Sequence, residues 1–179
     1  DKAESDPNTA TQINVDGTEN IAKICSQIDA KLVYISTDYV FDGEKTSPYN
    51  TEDSPNPINN YGLTKFQGEI AVKKYCNKYF IVRTSWLYGH YGNNFIEKML
   101  SLKGQNSIKV VTDQIGCPTW TVDLTNGIVQ LIKYKDFGIY HICGSGETSW
   151  YEFAKEIFNL SNININIEPC SSKEFNSPA

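Results

Sequence analysis

The chain has 179 residues, a formal net charge of -5 and 40% hydrophobic residues, which is the composition of a folded globular protein rather than a disordered one. Its only arginine is Arg83 and its lysines are scattered, so the composition argues against a nucleic-acid surface and leaves a single nucleotide ligand open. No apolar run approaches the roughly 20 residues of a membrane span.

Strand patterns and helix patterns alternate along the chain. Isoleucines at intervals of three and four residues predict a half-buried helix over residues 10–28, and the apolar run KLVYIST predicts a buried strand after it. A long loop rich in proline, serine, asparagine and aspartate then leads to a helix from about Tyr61 to Tyr79. The remaining predicted elements are, in chain order, the strand YFIVRTSWLYG, the helix NFIEKMLSLK, the strand SIKVVTDQIGCPT, the helix VDLTNGIVQLIKY, the strand GIYHICG, the helix TSWYEFAKEIFNL and the edge strand NININIEP. Asn93 and Asn94 are expected to cap the first of these helices, and Ser149 and Glu152 form a capping box at the start of the last.

This alternation predicts the fold class. Strands that alternate with helices form an α/β fold, here a doubly wound, largely parallel Rossmann-like sheet with helices on both faces. In such sheets, ligands bind outside the carboxyl ends of the strands. The candidate site residues are therefore those in the segments STD, TSWLYG, TDQIG and CGSG, each of which follows a predicted strand.

The spacing Tyr-x-x-x-Lys occurs twice, as Tyr61–Lys65 and as Tyr151–Lys155. The spacing alone only places both side chains on one helical face. Tyr61 begins the helix that should pack beside the strand ending at Thr37, where a ligand would bind. Tyr151 lies in the first turn of an amphipathic helix, where an ordinary surface pair is expected. The context therefore favours Tyr61–Lys65.

The Tyr61–Lys65 pair has a specific chemical use. A phenol has a pKa near 10, and an ammonium group a few ångströms away lowers that pKa by about one to three units. Tyrosine can then protonate a carbonyl oxygen as hydride reaches its carbon. The Thr37 hydroxyl, hydrogen-bonded to the same oxygen, would stabilise the developing alkoxide. Tyr61, Lys65 and Thr37 together would form a catalytic group for ketone reduction. The Tyr-x-x-x-Lys spacing alone does not establish that they do so.

Several blocks of sequence resemble the dTDP-4-dehydrorhamnose reductases, which are extended members of the short-chain dehydrogenase/reductase superfamily. The blocks occur in the same order over essentially the whole chain: ISTDYVFDG, PYNTEDSPNPINNYGLTK, RTSWLYG, GNNF, DQIGCPT and GSGETSWYEFA. The resemblance implies reduction of the C4 ketone of dTDP-6-deoxy-L-lyxo-4-hexulose to dTDP-L-rhamnose with NADPH or NADH. That reaction supplies rhamnose for cell-surface polysaccharide.

The resemblance also implies roles for five residues. Tyr61 would donate the proton to the C4 carbonyl, and Lys65 would hold the nicotinamide ribose and lower the pKa of Tyr61, so that both contact the cofactor. Thr37 and Asp38 would contact the substrate, and Trp86 would face the sugar. Two simpler interpretations stay open, namely Trp86 as a core aromatic and Asp38 as a loop cap.

One family feature is absent from the sequence. No G-x-G-x-x-G follows a strand, and CGSGETSW lacks the third glycine. We therefore expect the family's glycine-rich turn to lie upstream of Asp1, and the end of the substrate region to lie after Ala179. Residues 1–179 would then form a partial reductase domain, with a catalytic half over about 1–90 interleaved with a substrate-binding region over about 91–179. Some family members hold Mg²⁺ at a dimer interface, but no glutamates here match, so we assign no metal ligand.

The spacing of the cysteines indicates a cellular compartment, and the amino-acid composition indicates a type of organism. The five cysteines are odd in number and widely spaced without a C-x-x-C pair, which favours reduced thiols and a cytoplasmic location. A composition rich in asparagine, isoleucine and lysine hints at an AT-rich bacterial source. The expected binding partner is a dTDP-sugar, and a homodimer is left open. We expect no binding to nucleic acid or to a membrane.

Two other functions stay open at this stage. The first is a different nucleotide-sugar reductase or epimerase, because epimerases of the superfamily share the YG-x-[ST]-K helix. The second is a non-catalytic regulatory subunit that resembles the one of methionine adenosyltransferase. Retention of Thr37, Tyr61 and Lys65 favours catalysis.

Overall fold

The computed structural model of the chain describes residues 2–175, and these form two compact units. Within that range, the first unit comprises residues 2–84 and 126–142, and the second comprises residues 85–125 and 143–175. The first unit ends at residue 84 and also includes residues 126–142, whereas the sequence predicted a single boundary near residue 90. The division into a catalytic half and a substrate-binding region stays a prediction. Asp1 and the last residues of the predicted 91–179 region, 176–179, lie outside the described residues.

The two units contain the following elements. The elements of the first unit are α1 (Lys2–Ser5), α2 (Pro7–Thr11), a π-helical turn (Gln12–Asp16), α3 (Gly17–Gln27), β1 (Leu32–Thr37), a 3₁₀ turn (Asp38–Val40), α4 (Asn60–Tyr75), β2 (Tyr79–Thr84) and β7 (Gly138–His141). The elements of the second unit are β3 (Leu87–Tyr88), α5 (Phe95–Ser101), β4 (Ser107–Val111), β5 (Ile115–Gly116), β6 (Thr119–Trp120), β8 (Thr148–Ser149), α7 (Trp150–Leu160), β9 (Asn166–Cys170) and α8 (Ser172–Phe175). Helix α6 (Thr121–Leu131) begins in the second unit, and its residues from Asn126 onward belong to the first.

The first unit is built on a parallel sheet with the strand order β1-β2-β7. Its strands come from the runs LVYIST, YFIVRT and GIYH, and the middle strand is almost completely buried, as expected for a parallel sheet covered by helices. The register places Ser36 beside Arg83 and Arg83 beside His141, so these three residues form one row across the sheet. The prediction of an α/β fold with a parallel Rossmann-like sheet is confirmed.

Helix α3 forms where the sequence predicts it, but its buried face is different from the predicted one. The buried residues are Thr18 and Ala22. Four isoleucines that were expected to face the core have more than half of their surface exposed: Ile13, Ile21, Ile24 and Ile28. The physical reason is that this part of the chain packs against α4 through small side chains. At Gly68 of α4, a Cβ would lie only 2.6 Å from the carbonyl oxygen of Asn14, in the π-helical turn just before α3. The periodicity located the helix correctly, whereas the prediction of its buried face was wrong.

The second unit has its own core, formed by α5, α7 and the strand pair β4–β9. Its buried members are Met99, Ile108, Val110, Ala154, Ile157 and Phe158. Both of its main helices begin with the caps that the sequence predicted. The Asn94 side chain accepts a hydrogen bond from the Glu97 N–H at 3.1 Å, and Ser149 Oγ accepts one from the Glu152 N–H at 3.1 Å. The strand predicted in NININIEP is β9, which pairs in parallel with β4.

None of the helices described for residues 2–175 is long and apolar enough to cross a membrane.

Candidate active site

The carboxyl end of β1 forms a polar corner from Thr37 and Asp38. Thr37 is only 6% exposed, and its hydroxyl accepts a hydrogen bond from the Tyr39 N–H at 3.2 Å and donates one to Asp38 Oδ1 at 3.0 Å. Burial raises the pKa of the Asp38 carboxyl, while the hydrogen bond from Thr37 opposes that shift. The corner therefore holds a hydroxyl and a carboxylate in fixed positions at the sheet edge where ligands bind in parallel α/β folds.

The first turn of α4 places Tyr61 beside this corner. The Asn59 side chain caps the helix by accepting a hydrogen bond from the Gly62 N–H at 2.7 Å. A Cβ at Gly62 would lie 2.0 Å from the Tyr39 carbonyl oxygen, so only glycine allows the helix to approach the 3₁₀ turn this closely. The Tyr39 and Tyr61 rings meet edge to face, with centroids 5.8 Å apart. Tyr61 is therefore held next to Thr37 and Asp38.

The pKa of Tyr61 is raised from its usual value, which differs from the expectation drawn from the sequence. Burial is the largest cause, a hydrogen bond with the Thr37 side chain lowers the pKa, and the negative charge of Asp38 raises it. The expectation that Lys65 lowers this pKa is wrong for this structure. The Lys65 ammonium lies over the Tyr34 ring, 4.2 Å from the ring centroid, where a cation is attracted by the aromatic face.

Lys65 is itself strongly affected by its surroundings. Burial lowers the pKa of its ammonium group to about 8, and the nearby carboxylate of Glu69 opposes that shift. Lys65 therefore carries its charge at neutral pH but loses it in mildly alkaline solution. A lysine that titrates near neutral pH, close to a buried tyrosine, is typical of a functional site.

Glu4 is a contributor to the site that sequence analysis missed. Its carboxylate accepts hydrogen bonds from the Asn60 N–H at 2.8 Å, from Asn60 Nδ2 at 3.0 Å and from the Tyr61 N–H at 3.2 Å. A negative charge at a helix N-terminus satisfies unpaired N–H groups and interacts favourably with the helix dipole. Glu4 thus fixes the backbone of the residue that carries the phenol. Because Glu4 is 56 residues from Asn60, no local pattern could have revealed the contact.

The π-helical turn adds a second support for Tyr61. Asn14, within that turn, donates a hydrogen bond from Nδ2 to Thr64 Oγ1 at 3.0 Å. The Thr64 hydroxyl in turn donates to the Tyr61 carbonyl oxygen at 3.0 Å. Such turns often occur at functional sites, because the extra residue redirects a side chain.

Trp86 lies in the second unit and has partners that the sequence did not suggest. Its indole stacks on Trp150, with centroids 3.4 Å apart and an angle of 8° between the rings. Its backbone has φ = 48°, a conformation that bulky residues rarely adopt. A Cβ at Gly116 would lie 2.4 Å from the Trp86 ring, and Trp150 Nε1 donates to Gln114 Oε1 at 3.1 Å. The predicted role of Trp86 in binding the sugar stays a prediction.

The second Tyr-x-x-x-Lys pair lies on an exposed helix surface. The Lys155 ammonium pairs with the Glu152 carboxylate at 3.0 Å and lies 5.4 Å from the Tyr151 ring centroid. Hydrogen bonding to Glu152 raises the pKa of Lys155, opposite to the shift at Lys65. This is the ordinary helix pair that the sequence context indicated.

Gly62→Ala is expected to destabilise the protein by about 3 kcal/mol, because the new methyl group would overlap the Tyr39 carbonyl oxygen and force α4 away from the Thr37–Asp38 corner. Chemical denaturation would measure the loss. Gly43→Ala is the matched control, because a Cβ there meets nothing within 4 Å although its φ of 78° adds some strain. Equal losses in the two variants would contradict the close approach of α4 to the turn.

A parallel α/β sheet with a buried threonine at its carboxyl edge and a half-buried tyrosine beside it is typical of Rossmann-like proteins of the extended short-chain dehydrogenase/reductase type. The family model described as the RmlD substrate binding domain matches residues 1–179. The chain belongs to the RmlD substrate-binding domain family.

Individual relatives agree with this assignment. The chain is 40% identical over 191 residues to the dTDP-4-dehydrorhamnose reductase of Sinorhizobium fredii, with 100% of this chain and 64% of that protein covered. It is 43% identical over 161 residues to a dTDP-4-keto-6-deoxy-D-glucose reductase of Streptomyces niveus, with 89% of this chain and 56% of that protein covered. The chain therefore spans about three fifths of the length of these relatives.

A solved structure matches the fold closely. It is the crystal structure of dTDP-4-dehydrorhamnose reductase from Bacillus anthracis in complex with NADP, which superposes with a TM-score of 0.96 at 49% identity. The match covers 100% of this chain and 64% of that one. The family resemblance read from the sequence motifs is confirmed.

Proposed function

We propose that the full-length protein is an NAD(P)H-dependent dTDP-4-dehydrorhamnose reductase, which converts dTDP-6-deoxy-L-lyxo-4-hexulose to dTDP-L-rhamnose. The observation that carries the proposal is the placement of the Tyr61 phenol against Thr37 and Asp38 at the carboxyl end of β1, with Lys65 one helical turn further on. The relatives named as reductases of dTDP-keto sugars support the substrate class.

Each residue of this group has a distinct task. Burial and Asp38 keep Tyr61 in its acid form, so its O–H can donate a proton to the C4 oxygen of the sugar. Thr37 donates a hydrogen bond to Asp38 in this structure, and its hydroxyl lies close enough to Tyr61 to hydrogen-bond the same substrate oxygen. The Lys65 ammonium, which lies over the Tyr34 ring, would bind the nicotinamide ribose. A bound nicotinamide would supply the hydride.

The residues present fit one end of a nicotinamide cofactor. Tyr61 and Lys65 offer a hydroxyl and an ammonium group, which suit the hydroxyls of the nicotinamide ribose. Residues 1–179 contain no glycine-rich phosphate loop, so we assign no residue of this chain to the pyrophosphate. Since NADP is bound in the Bacillus anthracis enzyme, we propose NADPH or NADH as the reductant here. We assign no ligands to Mg²⁺.

Another dTDP-sugar ketoreductase is the second candidate, and the Streptomyces niveus relative favours it, since that relative is named for a different sugar. A regulatory subunit resembling that of methionine adenosyltransferase is less consistent with the Thr37–Tyr61 contact and the lowered pKa of Lys65, because a binding role alone requires neither. An epimerase would use the same residues, and product analysis separates it from a reductase.

Product analysis in the full-length protein tests the proposal. NADPH oxidation would be followed at 340 nm with the lyxo-4-hexulose and, separately, with dTDP-4-keto-6-deoxy-D-glucose, and the products would be identified by NMR. We expect turnover with the first substrate and dTDP-L-rhamnose as product. Turnover with the second substrate alone would replace the proposal by its second candidate. Absence of turnover with both, in protein that binds NADPH, would overturn the reductase proposal.

We also propose a cytoplasmic location and a role in dTDP-rhamnose and polysaccharide biosynthesis. The free thiols of Cys25, Cys76, Cys117 and Cys170 support a reducing compartment. A homodimer stays part of the proposal, and light scattering of the full-length protein would test it.

A further inference from the structure

Two contacts fix helix α4 to strand β1, and the spacing of the residues on the helix matches the spacing of their partners on the strand. Tyr34 and Ser36 are two residues apart on the strand and face the same side, while Lys65 and Glu69 are four residues apart on one helical face. The Tyr34 hydroxyl donates to the Lys65 carbonyl oxygen at 3.1 Å, and its ring lies under the Lys65 ammonium. The Ser36 hydroxyl donates to Glu69 Oε1 at 2.6 Å. A shift of α4 along β1 would break both contacts.

The neighbouring strand β2 completes this arrangement with the chain's only arginine. Arg83 donates from Nε to Glu69 Oε1 at 2.9 Å and from Nη2 to Oε2 at 2.7 Å, a two-pronged ion pair. The pair is fully shielded from water, because Glu69 is 0% and Arg83 3% exposed. Phe41 covers the guanidinium carbon, which lies 5.0 Å from its ring centroid. Helix α4 is thus tied to two strands through one carboxylate.

We infer that Glu69 and Arg83 are positioning residues for the active site. Arg83 holds the Glu69 carboxylate one helical turn after Lys65, so the network fixes the part of α4 that carries Lys65, and the carboxylate acts on the Lys65 ammonium by its negative charge. Glu69 contacts Ser36 and Arg83 and is completely buried, so it acts through Lys65 and not on a substrate. The catalytic consequence rests on the proposed function, whereas the effect on Lys65 does not.

The charged groups around the N-terminal half of α4 determine a quantity that can be measured, the pKa of Lys65. The ionisable groups around it are Glu4 from α1, Tyr34 from β1, Asp38 from the 3₁₀ turn, Arg83 from β2, and Tyr61 and Glu69 from α4 itself. Among these groups, Glu69 is the one whose charge raises the pKa of Lys65, against the burial that lowers it to about 8. Removal of the carboxylate therefore lowers that pKa further, and Lys65 loses its proton at a lower pH.

The test is an NMR titration of Lys65 in the full-length protein, with lysine labelled with ¹³C at Cε and the signal assigned with a Lys65→Arg sample. In Glu69→Gln, we expect the pKa of Lys65 to fall by about one unit or more from its value near 8. The high-pH limb of the kcat profile should move down by the same amount. Glu152→Gln is the matched control, because it removes a carboxylate from the exposed Lys155 pair and should leave Lys65 unchanged.

A second variant keeps the test decisive if Glu69→Gln does not fold. Glu69→Gln combined with Arg83→Met leaves no unpaired buried charge. A smaller fall in the pKa of Lys65 is expected, because the positive charge of Arg83 is removed together with the negative charge of Glu69. An unchanged Lys65 titration in either folded variant would overturn the inference. The titration needs no substrate, so its outcome is separate from that of the reductase assay. A shifted pKa of Lys65 in a protein without reductase activity would keep this inference and overturn the proposed function.

Discussion

Replacement of Tyr61 by phenylalanine is expected to lower kcat for reduction of the keto sugar by two or more orders of magnitude, with a smaller effect on KM. The variant retains the ring that meets Tyr39 edge to face, so the first turn of α4 should keep its place. What it removes is the phenol O–H beside the Thr37 hydroxyl, whose pKa is raised by burial and by the negative charge of Asp38. Loss of a general acid typically has an effect of this size. Steady-state kinetics of the full-length protein would measure it.

The chain supplies a matched control for this experiment. Tyr151→Phe removes the same hydroxyl from the other Tyr-x-x-x-Lys pair, which lies on an exposed helix surface, and should leave kcat within about twofold of the unmodified protein. Undiminished turnover in Tyr61→Phe would leave the family assignment in place but would remove Tyr61 from the mechanism. Equal losses in both variants would show that the effect is not specific to the site.

Replacement of Arg83 by methionine is expected to lower the free energy of unfolding by about 3–5 kcal/mol, because it leaves the Glu69 carboxylate buried without its counter-ion. The side chain of methionine fills much of the same space beside Phe41, so most of the loss arises from the unpaired charge. Urea denaturation of the full-length protein would measure it.

An exposed ion pair provides the comparison for the buried one. Lys78→Met breaks the Lys78–Asp29 pair, whose side chains are 40% and 80% exposed, and should lower the free energy of unfolding by no more than about 1 kcal/mol. A loss in Arg83→Met as small as that in Lys78→Met would contradict the view that the buried pair fixes α4 to the sheet. A smaller loss in the double variant with Glu69→Gln than in Arg83→Met alone would confirm that the two charges act on each other.

The sequence predicted the features that local patterns determine. Apolar runs of strand length identified β1 and β2, and polar residues directly after β1 marked Thr37 and Asp38 as candidates. The proximity of Tyr61 followed from topology, because a helix that connects two adjacent parallel strands packs beside the first of them. Asn94 and Ser149 were recognised as helix caps from their position before helical patterns.

The features that the sequence did not predict depend on partners far along the chain. Glu4 reaches the first turn of α4, and Glu69 binds an arginine on the next strand, but neither residue stands out from other surface-type glutamates in the sequence. The pKa of Tyr61 was predicted in the wrong direction, because the spacing to Lys65 does not reveal that the ammonium lies over Tyr34. Likewise, the isoleucine periodicity of α3 could not show that Thr18 and Ala22 form its buried face.

The π-helical turn over Gln12–Asp16 constrains how this part of the gene can change in length. A π turn holds one residue more than an α-helix of the same rise, so deletion of a single codon here would give a regular helix. The segments on either side would keep their relative direction, because the π turn and the α turn each close once. The deletion would instead move Asn14 away from Thr64, and so weaken the support of Tyr61. Mutational drift should therefore tolerate substitutions in this turn more readily than loss of a residue.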